Sequence, residues 1–157
     1  RIYEALMSRI EDIYDKCVDI IEANTTGYMR IPNPYTVDVN TYIHLRKGFG
    51  IAVGPGSDTQ RFVGCLVTWE RIFSIILVKQ VTTTQNDIAK REIIEKDLLD
   101  DHDNLRKAFY LNSTLDSLAI KSTILDDDGI NFVDGERLKF LGLVMNLYVE
   151  YLEDPNT

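Results

Sequence analysis

Four glycines, two histidines, two cysteines and a run of aspartates are the residues of this 157-residue chain whose types most invite chemistry. Gly48, Gly50, Gly54 and Gly56 resemble the spacing of a phosphate-binding loop, which must close on Gly-Lys-Ser/Thr at a helix start so that the lysine reaches the phosphates. No such lysine follows, and strand-forming residues come next, so tight turns at strand ends are the expected role. Gly54-Pro55-Gly56-Ser57-Asp58 does not set a serine midway between two glycines, as a nucleophile elbow requires. His44 has no Cys, His or Glu at ligand spacing, and His102 falls on a helical stripe among leucines, so zinc is not expected. Asp126, Asp127 and Asp128 offer the oxygen ligands that calcium prefers. They are consecutive rather than alternate, and with Asp134 they read as an exposed acidic loop ending at Glu136. Cys17 and Cys65 each stand in an apolar pattern and are expected to be buried small hydrophobes. Neither a catalytic constellation nor a bound cofactor is expected.

Binding of nucleic acid is equally poorly supported. Arg61, Arg71 and Lys79 lie along an aromatic stretch but are interleaved with Asp58 and Glu70, and Trp69 and Phe73 share its apolar face, where core packing is expected rather than base stacking. The net charge of −8, from 25 acidic and 17 basic residues, opposes any grip on phosphates. An acidic surface that lets DNA slide past is compatible with it. Residues 1–157 read as one domain with a real core. Phe140 to Val149, the greasiest stretch, is broken by Gly142 and Asn146 and falls well short of the roughly 20 residues a membrane helix needs. No basic leader with an apolar core is evident, so neither secretion nor membrane insertion is expected.

The elements that must position these residues follow from periodicity. Ile2, Leu6, Ile10, Ile13, Cys17 and Ile20 recur at three- and four-residue steps, predicting a helix over 2–23 that ends at Gly27. Ile31-Pro32-Asn33-Pro34-Tyr35 is held extended by its prolines and reads as a surface connection. Ile51 to Val53 is a short strand, 54–61 a loop, and Phe62 to Val81 a long β segment with Val67, Trp69, Phe73, Ile75 and Leu77 on one face, interrupted by Arg71. A helix over 85–110 carries Ile94, Leu98, His102, Leu105 and Phe109 inward, and strands follow at 114–125 and 139–151. The expected class is α+β, a mainly antiparallel sheet with a long hairpin or bent strand, covered on one face by two helices.

The segment Phe62–Val81 sets a problem of scale. No Gly, Pro, Asn or Asp lies between Cys65 and Lys79 to turn it, and as one strand it would run about 66 Å. A globule of this length is on the order of 40 Å across. The segment must bulge near Arg71 or project one end onto a neighbour.

The order of elements resembles the tail-terminator (tail completion) proteins of long-tailed bacteriophages. The resemblance is carried by the opening helix at Ile2-Tyr3-Glu4-Ala5-Leu6, by Ile31-Pro32-Asn33-Pro34-Tyr35, by Asn40, by Arg46-Lys47-Gly48-Phe49-Gly50-Ile51-Ala52-Val53-Gly54-Pro55, and by the long aromatic strand. It covers nearly the whole chain. It implies a structural virion protein assembled in the host cytoplasm, forming a ring, hexameric in the family, at the tail–neck junction. The ring caps the tail tube, stops its polymerisation and meets a head-completion or neck protein, while DNA passes through the lumen without specific binding. On that basis Ile31, Pro32, Asn33, Pro34, Tyr35 and Arg71 are expected at subunit contacts, and Asp126, Asp127, Asp128 and Asp134 at the lumen. Alternatives are another neck or head-completion subunit, or a small hydrolase or nucleotide-handling enzyme.

Overall fold

A computed structural model describes residues 9–31, 46–81, 88–134 and 139–153. Helix α1, Arg9–Asn24, buries Ile13, Cys17, Ile20 and Ile21, the stripe that its three- and four-residue spacing prescribes. Glu11 and Asp12 in its first turn complement the positive end of the helix dipole. Its last carbonyls are satisfied locally: Asn24 donates to Ile20 O at 2.8 Å and Thr25 to Ile21 O at 2.6 Å, and Gly27 adopts φ +82°. Strand β1, Met29–Arg30, follows, and the Ile31 amide donates to Phe49 O at 2.7 Å.

Strands β2, Lys47–Val63, and β3, Leu66–Val81, form a long antiparallel hairpin. The reversal falls at Gly64–Cys65, just before the turn-poor window, with Gly64 at φ +64° supplying the first position of a two-residue turn. Two expectations change as a result. Residues 54–61 are strand rather than loop, and Cys65 is exposed at the hairpin tip while only Cys17 is buried. The irregularity anticipated near Arg71 is present on the partner strand, where the register slips between Val53 and Gly56 opposite Arg71 and Ile72, and again between Asp58 and Phe62. Gly54 is required there, since a Cβ on it would stand 2.7 Å from Ile72 O.

Helix α2, Ile88–Leu111, buries Leu98, Leu105, Ala108 and Phe109, and β4, Lys121–Asp134, and β5, Lys139–Glu153, close the sheet in the order β1-β2-β3-β5-β4. All pairs are antiparallel except β1 with β2. Both helices cover the face bearing Phe49, Ile51, Phe73, Ile75, Leu77 and the alternating Leu141, Leu143, Met145, Leu147 and Val149, which together form one core. This is the expected α+β layering.

The strand expected at 114–125 begins only at Lys121; before it, residues 112–119 form turns in which Leu115, Asp116 and Ser117 all take positive φ. The acidic loop expected from Asp126 is likewise strand. Its extra residues are absorbed by register shifts between Ile124 and Asp126 and between Asp127 and Ile130, beside Gly129 at φ +76°. Finally, β3 spans about 53 Å but is the central strand, paired to β2 and β5 along its length, so its backbone is completed inside the protomer rather than by a neighbour.

Candidate functional site

Of the residues expected at subunit contacts, Ile31 and Arg71 are among the described residues. Ile31 is 2% exposed and has no side-chain surface to offer a partner; Pro32, Asn33, Pro34 and Tyr35 lie outside the described residues. Arg71 is half-buried on the helix-covered face, donating from Nη1 to Gly54 O at 3.0 Å, with Nε 3.5 Å from the Tyr151 hydroxyl. Burial pushes the Tyr151 phenol up, opposed by the guanidinium. The Trp69 indole and Arg71 together occupy the space that a side chain at position 56 would need, so Gly56 lets β3 pack against a bulged β2. Arg71 therefore braces the hairpin, with Nη1 on the β2 backbone and Nε toward β5.

The aspartates separate. Strand alternation places Asp126 on the sheet face away from the helices, where it accepts hydrogen bonds from Asn146 Nδ2 at 2.6 Å and the Tyr148 hydroxyl at 2.9 Å. Asp127 turns toward α2, with Oδ2 3.8 Å from His102 Nε2, while its Oδ1 accepts from the Gly129 amide at 2.8 Å. Asp128 is exposed in the bulge and gives its carbonyl to Asn131. Asp134 closes β4. Asp126 and Asp127 thus face opposite sides of the sheet, and among the described residues no group of three or more His, Cys, Asp and Glu could hold a metal ion.

His102 is a boundary residue of the α2 stripe, as its sequence position suggests. Burial lowers its pKa, only partly offset by Asp127, and Nε2 is buried without a hydrogen-bond partner. A buried charge sits between β3 and α2. The Lys79 side chain, 7% exposed, pairs with Asp101 at 3.0 Å and lies 5.7 Å from the Tyr28 ring centroid. Tyr28 donates its hydroxyl to the same carboxylate at 2.5 Å, and burial raises the phenol well above its ordinary pKa. The Cys17 thiol is pushed up to about 12 by burial, which makes it a packing residue.

Sequence reasoning missed the surfaces that remain open. Among the described residues, the outer flank of β4 is one free edge of the sheet, and most of β2 beyond its short pairing with β1 is the other. Beside β4 a groove of about 410 Å³ runs under the C-terminal turns of α2, walled by Tyr110, Leu111, Thr123 and Ile124 and rimmed by Asp103, Arg106 and Lys107. Tyr110 and Leu111 are 78% and 81% exposed. The signal was available: 108–111 is apolar at four successive positions, more than one inward stripe can bury. At the far edge, Phe62 on the hairpin tip is 72% exposed. No protein-family model matches this chain, and a search of curated proteins finds no significant relative.

Proposed function

We propose that this chain is a structural subunit that assembles head-to-tail into a ring and, in keeping with its resemblance to tail terminators, caps a phage tail tube. The ring, hexameric in that family, stops tube polymerisation and presents its other side to a head-completion or neck protein. The observation that carries this reading is the pair of unlike sheet edges, open among the described residues, each with large exposed apolar residues: Phe62 and Val53 at β2, Tyr110, Leu111 and Leu125 near β4. A closed ring needs two different complementary patches on every subunit, and exposed apolar clusters of this kind mark interaction surfaces. The helix-free sheet face carries Glu70, Asp126 and Glu150 with Lys121 and Arg61 beside Glu150, and a lumen wall without a basic excess would let DNA pass without adhering.

Two experiments test it. Negative-stain microscopy of the protein, alone and with tail tubes, is expected to show uniform rings or capped tube ends; isolated particles in both preparations would sink the proposal. Deletion of the gene from the phage is expected to give overlong tails. Normal-length tails left unattached would instead make this another neck or head-completion subunit, with the same ring geometry and different partners.

A further inference from the structure

We infer that the ring contact is a knob-and-socket joint between copies, in which the β2–β3 hairpin tip of one subunit inserts Phe62 into the groove between α2 and β4 of the next. The inference rests on the ring-assembly reading above and assigns its two surfaces. Phe62 pairs across the hairpin with Val67 and Asp58 with Trp69, so both point to the same side of the tip. The phenyl ring is left in solvent at the end of a rigid, bulge-braced hairpin. The groove offers the complementary shape and polarity: apolar walls from Tyr110, Leu111 and Ile124 beneath a rim of Asp103, Arg106 and Lys107. Arg106 on the rim suits Asp58 on the tip, which shares the side of Phe62, so one charge pair favours a single orientation.

Topology excludes the same insertion within one protomer. The groove lies level with Phe73 on the central strand, six residues or about 20 Å from Val67. It also lies three strand spacings, about 14 Å, across the sheet from β2. Tip and groove are thus about 25 Å apart on opposite edges of one sheet, the arrangement that makes a heterologous, propagating contact. The aspartates of β4 and its two bulges favour a side-chain joint over direct edge-to-edge pairing, because both devices discourage strand addition.

The test uses the purified full-length chain under reducing conditions, which keep the exposed Cys65 from confusing the result. Sedimentation is followed across a concentration series for the parent, Phe62→Ser and Leu111→Asp. The parent is expected to form a closed oligomer, and each variant, folded by circular dichroism, to associate at least about tenfold more weakly. Mixing the two variants is decisive: only the Leu111→Asp tip and the Phe62→Ser groove remain intact, so the mixture should stop at a one-to-one heterodimer. Rings that survive Phe62→Ser unchanged, or a mixture with no heterodimer although the parent forms rings, overturn this joint and leave ring assembly standing. A parent that stays monomeric at every concentration and on tube ends overturns both.

Discussion

An ammonium with almost no solvent needs a partner, and Lys79 has Asp101 at 3.0 Å with the Tyr28 ring alongside. Desolvation makes the pair valuable chiefly in what its loss would cost. Asp101→Ala should therefore destabilise the protein by about 3 kcal/mol in urea melts, with the more distant Asp97 holding the figure at the low end. Lys79→Met, which removes the buried charge itself, should cost much less; equal losses from the two substitutions would refute this account. His102 behaves in the opposite sense, since burial disfavours its charged form and holds its pKa below the ordinary 6.5. The unfolded chain then takes up protons first, so the histidine's contribution is intact above about pH 6.5 and is lost as pH falls below it. The slope is at most about 1.4 kcal/mol per pH unit. Comparing parent with His102→Leu between pH 7.5 and 5.5 should show a shallower acid decline in the variant; parallel curves would mean that His102 titrates as freely as in the unfolded chain.

Among the elements, those with one buried face were legible. The alternation of Leu141, Leu143, Met145, Leu147 and Val149 is β5 as it stands, and the α2 stripe and the α1 stripe from Ile10 onward reach the core, Ile2 and Leu6 lying outside the described residues. A long hairpin is one of the two forms the sequence allows, and Gly64, which turns it, lies just before the stretch Cys65–Lys79 that lacks turn residues. β2 was hidden by Gly54, Pro55 and Gly56, which read as loop and in fact let a bulged strand approach Ile72 and Trp69. The acidic strand was hidden because edge positions can carry charge without breaking pairing. Residues 114–119 alternate like a strand, yet Leu115 enters the core through a left-handed turn whose conformation no periodicity encodes. That turn bears a local cost, since non-glycine residues resist positive φ by about 1–2 kcal/mol each. Ser117 is exposed at φ +68°, so Ser117→Gly should raise stability by about 0.5–1 kcal/mol after the added freedom of the unfolded chain is counted. Thermal melts read this directly, and a lower midpoint would show that the serine side chain contributes something the backbone account omits.

At the scale of the whole molecule, charge is arranged in a way that folding alone does not require. Glu70 and Glu150 stand directly opposite each other on the helix-free face, a like-charge pair that weakens a sheet, relieved by Lys121 opposite Glu150 on β4 and by Arg61 at 3.9 Å. Asp126 shares that face, within a chain of net charge −8. Under the proposed ring such a surface has a use, because a lumen wall that attracted phosphates would hold the DNA it must release. The parent should then show no retention of duplex DNA at about 50 mM salt, where phosphate contacts are strong. Glu70→Lys with Glu150→Lys sets two cations beside Arg61 and Lys121 and removes the carboxylate they share, so stability should fall by about 1 kcal/mol. Affinity for duplex of any sequence should nevertheless appear, and its logarithm should fall linearly with the logarithm of salt as counterions are released. Fluorescence anisotropy with a labelled duplex measures both. Binding by the parent under the same conditions would remove the electrostatic basis for placing this face toward DNA, whereas a salt-dependent gain confined to the double variant is what an anti-adhesive wall predicts.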